Sequence, residues 1–286
     1  TCFLNSSFQL LFSVIPLRNT ILKYDGDDPF FQSVHELFIS LQTSISAAVS
    51  AESLLESWAD WEGQSLDPNL QQDACEFLFL LIDKLEAPFS SDYIQSLFQG
   101  TTRQLIEGIT DSFQTISNQP FSPLTLSVKD ISSMQEAFND FKEPNFFVGD
   151  NQYFASDLGK KIDARKTVLI SKLPPFLFIQ LARFSYNFET MERIKIESLF
   201  SFPMEVNFSQ ICIPNEEFET NFTLTGIIVH IGTAQSGHYM AYVRQSQHQN
   251  WMRFNDDDVD EINEQYITQL IDGQAKETPY VLLYQR

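Results

Sequence analysis

Apolar residues recur every three or four positions over the first hundred residues. Phe3, Leu4, Phe8, Leu11, Phe12 and Ile15 make one such stripe, which ends at Pro16. This spacing puts them on one face of a helix, and proline stops its continuation because it lacks an N–H and crowds the preceding turn. Residues 30–49 carry a second periodic run, and residues 72–85, before Pro88, a third. From about residue 101 the period shortens. Leu124-Thr125-Leu126-Ser127-Val128 alternates apolar with polar, and its neighbourhood is rich in Thr, Ile, Val and Phe, as strands are. Helical spacing returns briefly over 133–141, with Ser132 or Ser133 as cap.

Three longer strands are predicted at residues 167–170, 176–181 and 222–231, the first two parted by Pro174-Pro175. Residues 239–244, 251–254 and 280–284 add three more, and 262–271 read as a late helix. No repeat or low-complexity linker interrupts the chain. Helices first and strands after predict a single α+β domain with a helical lobe, a sheet lobe and a cleft between them.

The chain has 286 residues, 43% of them hydrophobic and 27 of them Phe, which is ample for a substantial core. No uncharged apolar run reaches the ~18 residues that a membrane helix needs, so no membrane association is expected. Eighteen Lys plus Arg against 38 Asp plus Glu leave a net charge of −20. Such a field repels nucleic acid and suits a basic protein or peptide. The basic cluster Lys160, Lys161, Arg165 and Lys166 stands beside Asp157 and Asp163 and reads as a solvated turn and strand end. Three cysteines are too few for a disulfide framework and favour a reducing compartment, so a cytoplasmic or nuclear location is expected. The start at Thr1, with neither Met nor a signal-like stretch, reads as an excised domain of a larger polypeptide.

Reactive residue types converge at the two ends of the chain. Seventeen residues separate His238 from Asn255, and a hairpin turning at 246–250 would bring them together. Asn can accept from an imidazole and fix its tautomer. Cys2 opens the first apolar helix, where the helix dipole and unpaired N–H groups favour a thiolate. Cys75 and Cys212 sit in apolar surroundings that read as core. His35 lies in a helical run, His248 in a polar turn, and His230 in a strand as a satisfied, partly buried ring. His238 differs, because Ser236-Gly237 allows close backbone approach before it and a strand follows. Asp256, Asp258 and Asp260 resemble the start of a calcium loop, but Glu261 replaces the required Gly and Ile267 the required Glu. Asp256 is instead a candidate second orienter, or a partner at an oxyanion site.

In five places, in order, the sequence resembles the ubiquitin-specific protease family of deubiquitinases. The matching segments are Thr1-Cys2-Phe3-Leu4-Asn5-Ser6-Ser7-Phe8-Gln9, Gln71-Gln72-Asp73-Ala74-Cys75-Glu76-Phe77, Leu173-Pro174-Pro175-Phe176-Leu177-Phe178-Ile179-Gln180-Leu181-Ala182-Arg183-Phe184, Phe202-Pro203, and the two-part box Gly237-His238-Tyr239-Met240-Ala241-Tyr242 with Trp251-Met252-Arg253-Phe254-Asn255-Asp256. The resemblance implies a papain-like fold with a helical thumb over about residues 1–100. Fingers would span 101–165 and 190–220, and a β-rich palm 166–189 and 221–286. It implies hydrolysis of the isopeptide bond after the ubiquitin C-terminal Gly-Gly, with ubiquitin and ubiquitinated proteins as partners and no cofactor. By motif, Cys2 is the nucleophile, His238 the base then acid, and Asn255 the orienter. Asp73, Phe184, Tyr239, Gln72 and Tyr186 match positions that grip the arginine-bearing ubiquitin tail.

Two departures from the pattern carry expectations. The places of the family's zinc-binding knuckles, 108–111 and 155–158, hold no cysteine, so zinc-free fingers are expected. A Gly- and Asn-containing stretch that supplies an oxyanion donor would precede Thr1, so this chain is expected to bind ubiquitin yet hydrolyse poorly. The alternatives are a ubiquitin-binding module with little or no turnover, and a protease for another ubiquitin-like modifier.

Overall fold

The computed structural model describes residues 1–44, 48–59, 63–67, 70–89, 92–187, 191–214, 218–245 and 250–286. Its first part is helical: α1 (Cys2–Ser13), α2 (Ile15–Ile21), α3 (Pro29–Thr43), α4 (Glu52–Ser57), α5 (Ala74–Glu86) and α6 (Tyr93–Phe98). The first apolar stripe ends early, because Val14 turns extended and Pro16 falls in the opening turn of α2. Proline fits there, since a helix's first N–H groups have no partner in any case. Asp28 caps α3 by accepting the Phe31 N–H at 2.8 Å. The second periodic run therefore forms helix only to Thr43.

The remainder is mostly strand. It runs through β1 (Gly100–Gly108), β2 (Gln114–Phe121), β3 (Leu124–Leu126), α7 (Met134–Lys142), β4 (Asn145–Phe147), β5 (Tyr153–Ala155) and β6 (Lys160–Ile162). Next come β7 (Ala164–Lys172), β8 (Phe176–Leu181), β9 (Phe184–Asn187), β10 (Glu192–Lys195) and β11 (Glu205–Asn207). The last elements are β12 (Asn221–Gly232), β13 (Gly237–Arg244), β14 (Trp251–Asn255), β15 (Asp258–Ile262), α8 (Glu264–Ile271) and β16 (Thr278–Gln285). Ser133 is the residue that caps α7, accepting the Glu136 N–H, and the Glu136 carboxylate accepts the N–H of Ser132, just before the cap, at 2.8 Å. Helix α8 starts two residues later than its periodicity predicts, because Ile262 belongs to β15 and Asn263 takes the cap.

The large sheet has the order β15-β14-β13-β12-β16-β8-β3, with β11 also on β12, and among these pairs only β3–β8 is parallel. Its two faces are both covered. Phe176, Phe178, Ile228, Ala241, Val281 and Leu283 pack with the helical lobe. Leu177, Ile179, Ile227, Val229 and Leu282 pack on the other face with α7 and α8 residues such as Phe138 and Ile267. Helix α1 lies directly on the sheet at Gly226, where a Cβ would stand 2.2 Å from Leu10 Cδ1. That close approach carries the start of α1 toward β13.

A second, four-stranded sheet has the order β2-β1-β7-β4. Strand β7 lies wholly within it, so the two sheets part at Leu173-Pro174-Pro175 rather than at residue 166. Proline withholds the N–H that a continuous ladder needs. Conversely, β3 and β11, expected in the fingers, join the large sheet. At the finger tip, Ala155, Ile162 and Ala164 are buried against Ile106, Phe113 and Tyr153. Lys160 Nζ lies 2.6 Å from Asp111 Oδ1, linking the first expected knuckle position to β6, just after the second. Among the described residues, no group of three or more His, Cys, Asp or Glu is placed to hold a metal ion.

Candidate active site

Helix α1 begins at Cys2, and the Thr1 carbonyl accepts the Leu4 and Asn5 N–H groups at 3.0 Å each. The apolar face of Phe3, Leu4, Phe8 and Leu11 is buried in the lobe, which leaves Cys2 half-buried at its edge. The other two thiols lie in the core. Burial, then the charges of Asp73 and Glu76, pushes the Cys75 thiol well up, and burial pushes Cys212 up to about 12. Both stay protonated near neutrality.

Strands β13 and β14 pair antiparallel from Ala241–Phe254 to Arg244–Trp251, as the hairpin reading predicts. Most of the expected turn, with His248, lies outside the described residues. The pairing brings His238 Nε2 within 2.6 Å of Asn255 Oδ1. An amide oxygen can only accept, so Nε2 carries the hydrogen and Nδ1 is left to take a proton. Asp256 Oδ2 stands farther off, 3.9 Å from Nε2. Its Oδ1 instead accepts from Asn5 Nδ2 at 2.6 Å. Helix α1 packs along β13 and β14, so thiol, imidazole and amide sit on elements in direct contact.

His230 is not the satisfied, partly buried ring that its strand position suggests. It is 1% exposed, and its Nδ1 is buried without a hydrogen-bond partner. Its Nε2 lies against Gly237, where a Cβ would come within 2.1 Å. Only glycine can therefore precede His238. Burial, then the Lys195 charge, lowers His230 to about 4, so the ring is neutral at ordinary pH.

Of the residues matched to tail binding, Asp73 has the most contacts. It caps α5 by accepting the Cys75 and Glu76 N–H groups at 2.9 and 3.2 Å. Tyr280 Oη donates to it at 2.8 Å, and Arg193 Nη2 lies 3.2 Å from its Oδ2. Phe184 is partly buried, with the Arg193 guanidinium 5.0 Å from its ring centroid. Tyr239 is buried beneath, stacked on Tyr280 with centroids 6.2 Å apart. Burial, then the Asp73 charge, raises both phenols far above their ordinary range. Gln72 is half-buried beside Asp73, whereas Tyr186 is exposed on β9, opposite Arg193.

A cavity of about 540 Å³ is lined by Asp73, Phe184, Arg193 and Tyr280, and a larger groove of about 870 Å³ borders Thr1, Asn5 and Asp256. The structure adds Asn5, Gln71, Arg193 and Tyr280 to the residues that sequence reasoning singled out. Membership of the matched segments was a signal for Asn5 and Gln71, whereas Arg193 and Tyr280 lie outside them. Their partners lie too far along the chain for spacing to pair them.

The site thus sets a thiol at a helix N-terminus of the helical lobe against antiparallel strands that bear an imidazole–amide pair. Residues 1–284 match the family described as ubiquitin carboxyl-terminal hydrolase, and the chain belongs to that family. It is 28% identical over 267 residues to "Ubiquitin carboxyl-terminal hydrolase 5" of Schizosaccharomyces pombe, covering 90% of this chain and 24% of that protein. It is 28% identical over 274 residues to "Ubiquitin carboxyl-terminal hydrolase 7" of Drosophila melanogaster, covering 93% and 24%. With "Ubiquitin C-terminal hydrolase 12" of Arabidopsis thaliana the identity is 30% over 275 residues, covering 91% and 24%. The chain thus spans about a quarter of the length of these relatives.

Proposed function

We propose that this chain is the catalytic domain of a thiol-dependent deubiquitinase, hydrolysing the isopeptide bond after the C-terminal Gly-Gly of ubiquitin. The observation that carries the reading is the 2.6 Å contact between His238 Nε2 and Asn255 Oδ1 on strands packed against the helix that starts at Cys2. The Cys2 thiol gives its proton to His238 Nδ1, and sulfur attacks the glycine carbonyl carbon. The tetrahedral intermediate collapses to a thioester as the imidazolium protonates the leaving lysine amine. Water, deprotonated by His238, then attacks the thioester and releases the carboxylate and the thiol. Asn255 keeps Nδ1 free through both steps, and Asp256 stands by as a second acceptor. Asp73 and Phe184, with Gln72, Tyr186 and Tyr239 around them, form the channel for a cationic, extended tail. Ubiquitinated proteins are the partners of this reading, within a larger polypeptide in the cytoplasm or nucleus.

Ubiquitin carrying a C-terminal electrophile tests it. Wild type is expected to form a covalent adduct, and Cys2→Ala none, while Cys212→Ser still reacts. A folded protein that binds ubiquitin without any Cys2-dependent adduct would be a binding module instead. Preferential labelling by another modifier would reassign the substrate.

A further inference from the structure

Two amide side chains of the helical lobe cross to the sheet, and each lands beside one member of the His–Asn pair. Asn5 Nδ2 donates to Asp256, the residue directly after Asn255, at 2.6 Å. Gln71 Oε1 accepts the N–H of Gly237, the residue directly before His238, at 3.0 Å. Asn5 lies on α1, about one turn beyond Cys2. Gln71 lies just before Asp73, the cap of α5, which packs on α1. We infer that Asn5 and Gln71 are positioning residues, which align the Cys2 thiol with the His238 imidazole by tying the ends of β13 and β14 to the thiol-bearing lobe. The inference rests on the thiol chemistry proposed above.

Both ties act at the ends of the strands, where β13 keeps only its β12 neighbour, through Ile231–His238 and Gly232–Gly237, and Asn255 only its β15 neighbour, Asp258. The β13–β14 pairing runs from Arg244–Trp251 to Ala241–Phe254, and His238 and Asn255 lie beyond it. Asp256 holds φ at +52°, in the left-handed region that residues with a Cβ disfavour. It stands in the two-residue turn that joins Asn255 to its partner Asp258, and Asn5 bonds to its side chain at that turn. At Gly237 the ring of His230 forbids a side chain, so the backbone N–H is the available handle, and Gln71 takes it. A misplacement of about 1 Å between reacting groups can cost on the order of 100-fold in rate, so weak ties at these points have leverage.

The two amides have opposite polarity, and this gives a test. Asn5 must donate, whereas Gln71 must accept. Gln71→Glu keeps its acceptor, but Asn5→Asp sets a carboxylate against Asp256. For hydrolysis of a ubiquitin C-terminal amide, kcat is expected to fall about tenfold in Asn5→Asp and Gln71→Ala, with KM within about twofold of wild type. Gln71→Glu is expected to retain kcat within about twofold. Alkylation of Cys2 by iodoacetamide, followed by mass spectrometry, should fall in the same two variants, and it requires no ubiquitin. Similar losses from both carboxylate replacements, losses confined to KM, or a kcat unaffected in all variants would overturn the inference. If alkylation follows the expected pattern but no variant reacts with ubiquitin, the inference stands and the proposed substrate falls.

Discussion

His230 shows how one side chain couples the site to stability. Its ring is enclosed by Phe184, Tyr239 and Gly237, with a buried nitrogen that has no partner. Its folded pKa of about 4 lies below the ~6.5 of an unfolded histidine. Between those values the unfolded chain takes up a proton that the folded chain refuses. The neutral ring therefore contributes stability that is present above about pH 6.5 and lost as pH falls toward about 4. Urea midpoints measured across that window should decline more steeply with acidification in wild type than in His230→Gln. The difference in slope should approach one proton, about 1.4 kcal/mol per pH unit. Equal slopes would show that the ring titrates alike in both states. Asp73 carries a different lesson. Its motif suggested substrate binding, but the structure shows it capping α5 and held by Tyr280 and Arg193. A tail cation would have to replace Arg193 at a carboxylate whose first duty is to the fold.

At the scale of elements, the finger tip separates strong from weak stabilisation. The Lys160–Asp111 pair is well exposed on the lysine side and contributes about 0.5 kcal/mol or less. Ile162 is 2% exposed in a small cluster with Ala155 and Ala164. Lys160→Ala should barely move the denaturation midpoint, whereas Ile162→Ala should cost about 2–4 kcal/mol. The reverse order would mean that the ion pair, not the cluster, holds the tip. Elements with a strong period were legible in advance: residues 176–181 form β8 as predicted, and the 251–254 pattern extends one residue into β14. Boundaries set by competition were not. Periodicity could not show that Ile262 would close β15 before Asn263 capped α8, nor that β3 would cross into the large sheet.

For the molecule as a whole, the net charge of −20 acts on association rather than on folding. The rate of association with ubiquitin, followed by stopped flow on Cys2→Ala, should fall as salt rises. Most of the fall should come between low salt and ~0.15 M, where the screening length shrinks to about 8 Å. A rate independent of salt would place the acidic residues away from the approach path. The helical lobe pressed on the large sheet, with α1 resting on Gly226, also explains how residues at opposite ends of the chain come together.

Local chemistry determined much of this protein from sequence alone. Apolar period distinguished helix from strand, Ser132 and Ser133 marked the cap of α7, and burial in apolar runs set Cys75 and Cys212 apart from Cys2. Seventeen residues of hairpin spacing were enough to place Asn255 beside His238, because register within one hairpin follows from its own pattern. Only the tertiary structure decided what crosses between lobes: Asn5 on Asp256, Gln71 on Gly237, Arg193 on Asp73, and the unpaired nitrogen of His230. The first three join residues 120 to 251 positions apart, and the last depends on rings from β9 and β13 packed against β12. Such contacts depend on how whole elements pack, and no local pattern encodes them.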